Sequence, residues 1–390
     1  MSSYLMSNYQ PLSVEFESGA GAWLTDVDGN RYLDALSGIA VCGLGHAHPA
    51  VQEAIADQAS KLIHTSNIYR IPLQEKLAEK LIEHSGMDKV FFGNSGAEAN
   101  EAAIKLARLH GNNKGINNPT IIVMEKSFHG RTMATLTATG NDKVKKGFAP
   151  LVEGFKHIPY NNLDALNEIA ETTDDIVAVM VEPIIGEGGI LIPDEGYLKA
   201  IRAFCDEHDC LMILDEIQTG MCRTGEWFAF QYEGIKPDVM TLAKALGNGV
   251  PIGACLASGV AADLFQPGSH GSTFGGNPLA ARAALAVISV LERDKLEQRA
   301  VELGNRLLDG FKQSLSGIKG IKEIRGKGLM LAIELEKDCA DLVGLALEEK
   351  LLINVTAGNV IRLLPPLVMS DDEADEVVSK LSDLLKKYLS

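Results

Sequence analysis

The most constraining feature of the sequence is an alternation, between residues 89 and 242, of short apolar runs with longer stretches of helical spacing. The apolar runs are four to six residues long, the usual length of buried strands, and they predict strands at 89–92, 120–124, 176–181, 210–214 and 238–242. The stretches between them, such as 97–110 and 195–208, have the periodicity of helices. This order predicts an α/β fold in which helices cover both faces of a mostly parallel sheet.

The pattern changes near residue 276. From there the sequence predicts helices at 278–291 and 371–389, with strands at 329–335, 352–355 and 360–363 between them. Near the N terminus, GAWLTDVDGNRYLD (21–34) predicts a hairpin that turns at Asp28-Gly29 and packs beside this smaller α+β region. We therefore expect an N-terminal segment (1–55), a large domain (56–276) and a small C-terminal domain (277–390), consistent with a length of 390 residues.

Charge and composition narrow the class of partners. With 36 basic and 52 acidic residues the formal net charge is −16, and no dense Lys/Arg cluster occurs, so nucleic acid is disfavoured. The apolar runs are too short to cross a membrane, and residues 1–10 lack the pattern of a signal peptide. Six cysteines without a Cys-x-x-Cys pair predict reduced thiols, no metal site and a cytoplasmic location.

Polar residues stand where the predicted strands end. In open α/β sheets, ligands bind beyond the carboxyl ends of the parallel strands. Four candidates occupy such places: the loop at 94–97, Glu182, Asp215 and Lys244. We expect them to meet at one edge of the sheet.

The loop at 94–97 has three interpretations. Ser95 and Gly96 at a helix N-terminus would offer backbone N–H groups to a phosphate. The spacing Ser95-x-x-Glu98 is also that of a capping box, and Gly93-x-Ser95-x-Ala97 is similar to the nucleophile elbow of a serine hydrolase. The sequence contains neither G-x-G-x-x-G nor G-K-[ST], so dinucleotides and nucleoside triphosphates are disfavoured.

Asp215 and Lys244 carry more information together than alone. Asp215 ends an apolar strand and shares a face with Ile217, which suits a carboxylate that contacts a protonated ring nitrogen, although an ordinary ion pair explains it equally well. Lys244 lies among small residues and could be a desolvated, nucleophilic amine, although most lysines are solvated. A phosphate cradle, an Asp and a Lys on one sheet match the needs of pyridoxal phosphate.

Seven motifs closely resemble those of the class III pyridoxal-phosphate-dependent aminotransferases, in the family's order and over essentially the whole chain. They are SGAEAN (95–100), FHGR (128–131), VEPIIGEGG (181–189), LDEIQTG (214–220), TLAKALGNGVPIGA (241–254), HGSTFGGNPLA (270–280) and IRLLPPL (361–367). The resemblance implies a fold-type I enzyme whose large domain surrounds the mostly parallel sheet and whose small domain combines the C-terminal part with the N-terminal segment. It also implies pyridoxal 5′-phosphate as the cofactor and a homodimer with shared active sites.

The resemblance assigns a role to each matching residue. Lys244 would hold the cofactor covalently and move the proton during the reaction. The other cofactor contacts would be Ser95 and Gly96 at the phosphate, Thr273 of the partner subunit at the same phosphate, Asp215 at the ring nitrogen, Gln218 at the ring hydroxyl, and Ile217 and Phe128 on the two ring faces. Arg131 would bind the substrate α-carboxylate with Ser272 of the partner subunit. Glu187 and Arg362 resemble a gate for the second carboxylate of 2-oxoglutarate, although an ordinary salt bridge is the alternative.

The reaction implied by the resemblance joins a small-molecule amino donor to 2-oxoglutarate. The segments 37–49 and 64–81 are most similar to members that transfer the δ-amino group of N-acetylornithine, some of which also act on N-succinyl-diaminopimelate. Alternatives are ornithine, succinylornithine or 4-aminobutyrate as donor, a semialdehyde aminomutase, or a hydrolase based on Ser95. Trp23, where ornithine-specific members usually have Tyr, cannot accept a hydrogen bond and disfavours ornithine. Asn248 replaces a more usual Gly and is expected to tolerate left-handed backbone angles.

Overall fold

A seven-stranded sheet forms the centre of the molecule, for which a computed structural model describes residues 4–390. Its strand order is β4-β10-β9-β8-β7-β5-β6, and β10 alone runs antiparallel to its neighbours. The strands are β4 (Lys89–Gly93), β5 (Thr120–Met124), β6 (Phe155–Ile158), β7 (Ile176–Val181), β8 (Leu211–Asp215), β9 (Val239–Leu242) and β10 (Gly253–Ala257). The predicted α/β class with a mostly parallel sheet is confirmed.

Two four-stranded sheets accompany the central sheet. One has the order β1-β2-β3-β13 and the other the order β11-β12-β15-β14. The strands of the first are β1 (Phe16–Ala20), β2 (Trp23–Asp26), β3 (Arg31–Asp34) and β13 (Leu351–Leu352). Those of the second are β11 (Ile321–Lys327), β12 (Met330–Leu335), β14 (Asn354–Thr356) and β15 (Val360–Leu363).

The helices cover the central sheet and support the smaller ones. They are α1 (Ser37–Ala40), α2 (Pro49–Lys61), α3 (Pro72–Ser85), α4 (Gly96–Asn113), α5 (Met133–Ala138), α6 (Asp142–Lys145), α7 (Leu163–Glu171), α8 (Tyr197–Glu207), α9 (Pro278–Asp294), α10 (Leu296–Ser314), α11 (Leu342–Glu348) and α12 (Asp371–Leu389). Three short 3₁₀ segments span Ala229–Glu233, Lys244–Leu246 and Gly259–Asp263. None of the helices within 4–390 has the length and apolar character needed to cross a membrane.

The strands with continuous apolar sequence lie where the pattern predicts them. Both β5 and β7 are buried at every residue, as expected for strands covered on two faces, and their observed bounds equal the predicted ones. The prediction missed β1, β6, β10 and β11, whose sequences are FESGA, FKHI, GACLA and IKEIRGK. These strands mix charged or small residues with apolar ones and therefore lack the pattern on which the prediction depends.

The N-terminal hairpin is joined to the C-terminal part of the chain. Its strands β2 and β3 pair as predicted around the Asp28-Gly29 turn, and β3 also pairs in parallel with β13. The single strand predicted at 352–355 was wrong, because the chain there divides into β13 and β14, which belong to different sheets. The division of the chain into 1–55, 56–276 and 277–390 stays a prediction.

Candidate active site

A cavity of about 360 Å³ lies at the carboxyl end of the central sheet. Most of the residues that line it come from the ends of strands β4, β5, β7, β8 and β9 and from the loops that follow them. From the sequence-based set they include Ser95, Gly96, Phe128, Arg131, Glu182, Glu187, Asp215, Ile217, Gln218 and Lys244. All four strand-end candidates thus meet at one edge, as expected from the topology.

Asp215, the last residue of β8, is buried and is held by neutral or histidine donors rather than by a lysine or arginine. Its Oδ2 accepts hydrogen bonds from Asn100 Nδ2 and His129 Nδ1, each at 2.8 Å, and its Oδ1 accepts one from the Ile217 N–H at 3.1 Å. Asn100 is fixed in turn by Thr241, whose hydroxyl donates to Asn100 Oδ1. The carboxylate is therefore rigidly oriented at the cavity.

Glu182 joins two of the loops that line the cavity. Its Oε1 accepts a hydrogen bond from the Phe128 N–H at 2.8 Å, and its Oε2 accepts one from the Gly186 N–H at 3.1 Å. Burial, together with the nearby Asp215 carboxylate, raises the pKa of Glu182 to about 7. The residue fixes the Phe128 loop relative to the segment that carries Glu187.

Lys244 follows β9 and opens a 3₁₀ turn with a left-handed φ of 45°. This strained backbone carries the amine into the cavity wall, where burial lowers the pKa of Lys244 below its usual value. Within the described part of the chain, no hydrogen bond or ion pair engages the Lys244 amine. A desolvated amine of lowered pKa is available as a nucleophile and as a proton carrier.

The N-terminus of α4 forms one wall of the cavity. Ser95 caps this helix by accepting a hydrogen bond from the Glu98 N–H at 3.2 Å, while Glu98 accepts one from the Asn94 N–H at 2.6 Å. Ser95 is therefore the N-cap of α4, but the predicted capping box is only half formed, because Glu98 bonds the Asn94 N–H and not that of Ser95. The cap leaves the phosphate interpretation open, because the first N–H groups of a helix have no partner within the helix. Among residues 4–390, no histidine is hydrogen-bonded to Ser95, so the geometry does not favour a hydrolase.

Two glycines lie in close contact with residues that line the inner cavity. A Cβ on Gly96 would lie 2.7 Å from Ile217 Cδ1, and one on Gly186 would lie 2.3 Å from Gln218 Oε1. Gln218 Oε1 is itself buried without a hydrogen-bond partner in the chain as described. A free polar atom, a free amine and a glycine-lined helix N-terminus fit the ring hydroxyl, aldehyde and phosphate of pyridoxal phosphate.

A second, outer cavity of about 1040 Å³ adjoins the first and shares Phe128, Arg131, Glu187 and Lys244 with it. Arg131 is exposed, and its guanidinium lies 5.4 Å from the centre of the Phe128 ring. Glu187 accepts a hydrogen bond from Arg362 Nη1 at 2.6 Å, so the two predicted gate residues form an ion pair.

Arg362 is fully buried and lines neither cavity, whereas its partner Glu187 lines both. Besides its bond to Glu187, its Nη2 donates to Asn354 Oδ1 at 2.8 Å, whereas its Nε is buried without a partner among the described residues. Because Glu187 is 36% exposed and Arg362 only 1%, the carboxylate is the partner that has room to move.

Ser272 and Thr273 do not line the cavity of their own chain. Ser272 Oγ accepts hydrogen bonds from Asn94 Nδ2 and the Gly275 N–H, and Thr273 is exposed. The segment around them borders exposed apolar side chains, among them Leu62, Ile63, Ile68, Tyr69 and Phe274.

Sequence reasoning missed Asn100 and His129, although both hydrogen-bond Asp215. They lie 115 and 86 residues away from it, so spacing along the chain could not reveal the contact. Both stand inside quoted motifs, SGAEAN and FHGR, which is the one signal that could have found them.

Of the predictions made for Trp23 and Asn248, the structure supports only the second. Trp23 lines neither cavity: its indole N–H donates to Glu373 at 2.7 Å, so its effect on donor choice has no support from the geometry. Asn248 has a left-handed φ of 46°, as predicted. Its side chain also accepts from the Leu44 N–H and donates to the Gly45 carbonyl, which ties the loop after Lys244 to the loop at 41–45.

The chain is similar to known proteins in sequence and in fold. The family profile described as aminotransferase class-III matches residues 4–385. The chain is 55% identical to the acetylornithine aminotransferase of Nitrosomonas europaea, over 99% of this chain and 98% of that protein, and 52% identical to acetylornithine aminotransferase 1 of Bordetella bronchiseptica, over 100% and 99%. The crystal structure of the ornithine aminotransferase from Toxoplasma gondii superposes with a TM-score of 0.95 at 36% identity, covering 99% of this chain and 93% of that one. The acetylornithine aminotransferase from Elizabethkingia anophelis gives a TM-score of 0.88 at 38% identity, covering 98% and 96%.

Proposed function

The chain belongs to the class III aminotransferases, pyridoxal-phosphate-dependent transaminases, and from this premise we propose that it transfers the δ-amino group of N-acetylornithine to 2-oxoglutarate. The products would be N-acetylglutamate 5-semialdehyde and glutamate, and the reaction is a step of arginine biosynthesis. The observation that carries the proposal is the convergence of the Lys244 amine, the Asp215 carboxylate, the α4 N-terminus and Arg131 on one cavity.

We assign the cofactor contacts to residues that surround the inner cavity. Ser95 and Gly96 would hold the phosphate, Gln218 the ring hydroxyl, Ile217 and Phe128 the two ring faces, Asp215 the ring nitrogen, and Lys244 the reactive carbon. When bound, pyridoxal phosphate supplies an electrophilic carbon for the amine and an electron-withdrawing ring that stabilises the carbanion left by proton removal.

Lys244 would act as the proton carrier. Because burial lowers its pKa, a larger fraction of the Nζ amine is neutral near pH 7 and can accept a proton from the substrate carbon. Asp215 would keep a ring nitrogen protonated, since its carboxylate is fixed by Asn100 and His129 and is not neutralised by a lysine or arginine.

Arg131 would bind the α-carboxylate of the donor, because its planar guanidinium is exposed in both cavities and has no carboxylate partner in residues 4–390. Glu187 would cover Arg362 while the acylated donor is bound. When glutamate or 2-oxoglutarate enters, Glu187 would turn away and Arg362 would bind the second carboxylate. The bond at 2.6 Å between the two and the greater exposure of Glu187 support this order of events.

We further propose a homodimer in which Ser272 and Thr273 complete the cavity of the partner subunit. Two observations support it: neither residue lines its own cavity, and the adjoining surface exposes a group of apolar side chains that a second subunit would cover. A cytoplasmic location belongs to the same proposal and is supported by six cysteines that are all free thiols.

A coupled assay for glutamate tests the reaction. The purified enzyme would be given 2-oxoglutarate with N-acetylornithine, ornithine, succinylornithine, N-succinyl-diaminopimelate or 4-aminobutyrate, beside a Lys244→Ala control. We expect the highest kcat/KM with N-acetylornithine and no glutamate from the control. Ornithine is the most important alternative donor to test, because the structure that superposes with a TM-score of 0.95 is an ornithine aminotransferase. Turnover with ornithine alone would overturn the donor assignment, and protein that binds the cofactor but forms no glutamate would point to an aminomutase.

Mixing two inactive variants tests the shared site. A Thr273→Asp chain would place a negative charge at the partner's phosphate site, and a Lys244→Ala chain would lack the amine. If each site combines Lys244 of one chain with Thr273 of the other, a mixed dimer has one intact site. Statistical mixing should then restore about a quarter of the wild-type activity. No recovery, with mixed dimers shown to form, would contradict the shared site.

A further inference from the structure

Each of the carboxylates that line the outer cavity lies within 4 Å of a cation, and the fully exposed Asp142 has the longest of these contacts. Glu187 pairs with Arg362 at 2.6 Å, and Glu334 pairs with both Arg325 and Lys322, each at 2.6 Å. Asp142, the third carboxylate on the wall, lies 3.6 Å from Lys145. Each carboxylate on this wall therefore already has a cationic partner.

Several cations of the same cavity have no carboxylate partner within 4–390. Apart from Lys244, they are Lys126, Arg131 and Lys143. In the proposed reaction Arg131 is neutralised by the α-carboxylate of the donor. Lys126 and Lys143 then remain as two uncompensated positive charges, in a chain whose net charge is −16.

The backbone fixes where these two lysines stand. Lys126 has a left-handed φ of 65°, its N–H donates to the Gly140 carbonyl at 2.8 Å, and a Cβ on Gly188 would lie 2.9 Å from Lys126 Cβ. The Lys143 N–H donates to Asn141 Oδ1, which caps the short helix α6. Because Gly140 also donates back to Ser127, the segments of both lysines are hydrogen-bonded to each other and form one wall.

We propose that Lys126 and Lys143 are specificity-determining residues that select amino donors by the charge at the α-nitrogen. Free ornithine bound with its δ-amine at Lys244 and its carboxylate at Arg131 would bring a second ammonium into this positive cavity. Acylation removes that charge, and an acyl group that ends in a carboxylate replaces it with the opposite one. The expected order of kcat/KM is succinylornithine at or above N-acetylornithine, with ornithine lowest. The inference rests on the proposed function and explains how it excludes the free diamine.

The test compares kcat/KM for N-acetylornithine and for ornithine in wild type, Lys126→Gln, Lys143→Gln and the double variant. In a water-filled cavity, a like charge roughly 4 to 10 Å from the donor's ammonium group changes the binding equilibrium of that donor by about two- to fivefold. Each single change should therefore raise the ornithine to N-acetylornithine ratio by about two- to fivefold, and the double change by about tenfold. Lys146→Gln, which removes the same charge from the same segment outside the cavity, should leave the ratio unchanged.

Ionic strength gives an independent readout. Raising salt from about 10 mM to 0.5 M shortens the screening length from about 30 Å to a few ångströms, so the wild-type ratio should move toward that of the double variant. A ratio that is unaffected by both substitutions and by salt would overturn the role of the lysines while leaving the transaminase intact. Absence of glutamate from every donor would instead contradict the proposed function itself.

Discussion

Charged side chains are paired differently on the central sheet and on the sheet β11-β12-β15-β14, which we call the C-terminal sheet. On the C-terminal sheet, Arg325 of β11 is bonded to Glu334 of β12 and to two backbone carbonyls, so its charge is matched. At the end of the central sheet, Lys244 has no bonded partner in the described chain, and Asp215 is held by Asn100, His129 and the Ile217 N–H, without a lysine or arginine. The first arrangement stabilises a fold, whereas the second keeps charged groups available for a ligand.

The contrast predicts that substitutions at the two sheets affect different quantities. At the central sheet, activity should fall with little loss of stability, because a charge without its own opposite charge contributes little to folding. At the C-terminal sheet and its helices, apart from the proposed gate residue Arg362, stability should fall while the activity of each folded molecule is preserved.

The largest effect is expected from Asp215→Asn. The amide keeps the shape of the side chain but cannot hold a protonated ring nitrogen, so kcat should fall by about 10³-fold, or about 4 kcal/mol in the barrier. The melting temperature of the cofactor-free protein should not decrease by more than a few degrees. Asp209→Asn, two residues before the start of the same strand and exposed, is the matched control and should keep full activity. An equal loss of kcat in Asp215→Asn and Asp209→Asn would contradict the proposed difference between the two sheets.

Leu381→Ala should have the complementary effect. Leu381 lies in α12 and is completely buried, so its truncation should lower the free energy of unfolding by about 3 kcal/mol. Chemical denaturation measures this loss, and kcat per folded molecule should remain within about twofold of wild type. Lys387→Ala, on the exposed side of the same helix, should change stability by less than about 0.5 kcal/mol. A large decrease of kcat in Leu381→Ala would show that the two regions are not separable.

A smaller effect is expected from pH acting on His46. Its Nε2 lies 2.7 Å from Asp34 Oδ2, and this partner is the main reason that the pKa of His46 is raised to about 9. A raised pKa stabilises the folded state fully below the unfolded value of about 6.5, and this contribution is lost as pH rises through 9. The unfolding free energy should therefore decrease by about 2 kcal/mol between pH 6.5 and 9 because of this residue. In His46→Gln that decrease should be absent, and an unchanged pH profile would exclude the pair as its source.

More of the central sheet than of the C-terminal part could be predicted from the sequence. In the central sheet, IVAVMV and TIIVM are continuous apolar runs, and polar residues at strand ends must meet there once the strands are parallel. In the C-terminal part, β11 reads IKEIRGK, and its Lys322 and Arg325 are paired by Glu334 of the neighbouring strand. Those pairs, like the bonds from Asn100 and His129 to Asp215, join residues whose proximity depends on the finished fold, and a pattern of spacing does not contain them.

The pairing of Leu33 and Asp34 in β3 with Leu351 and Leu352 in β13 has a consequence for synthesis. The hairpin leaves the ribosome first, but the strand that completes its sheet emerges more than 300 residues later. At about 5–20 residues per second, the edge of β3 stays uncovered for roughly 15 seconds or longer, a period in which an open strand can pair with the wrong chain. Productive assembly of this enzyme in the cell therefore depends on what protects that edge until translation ends.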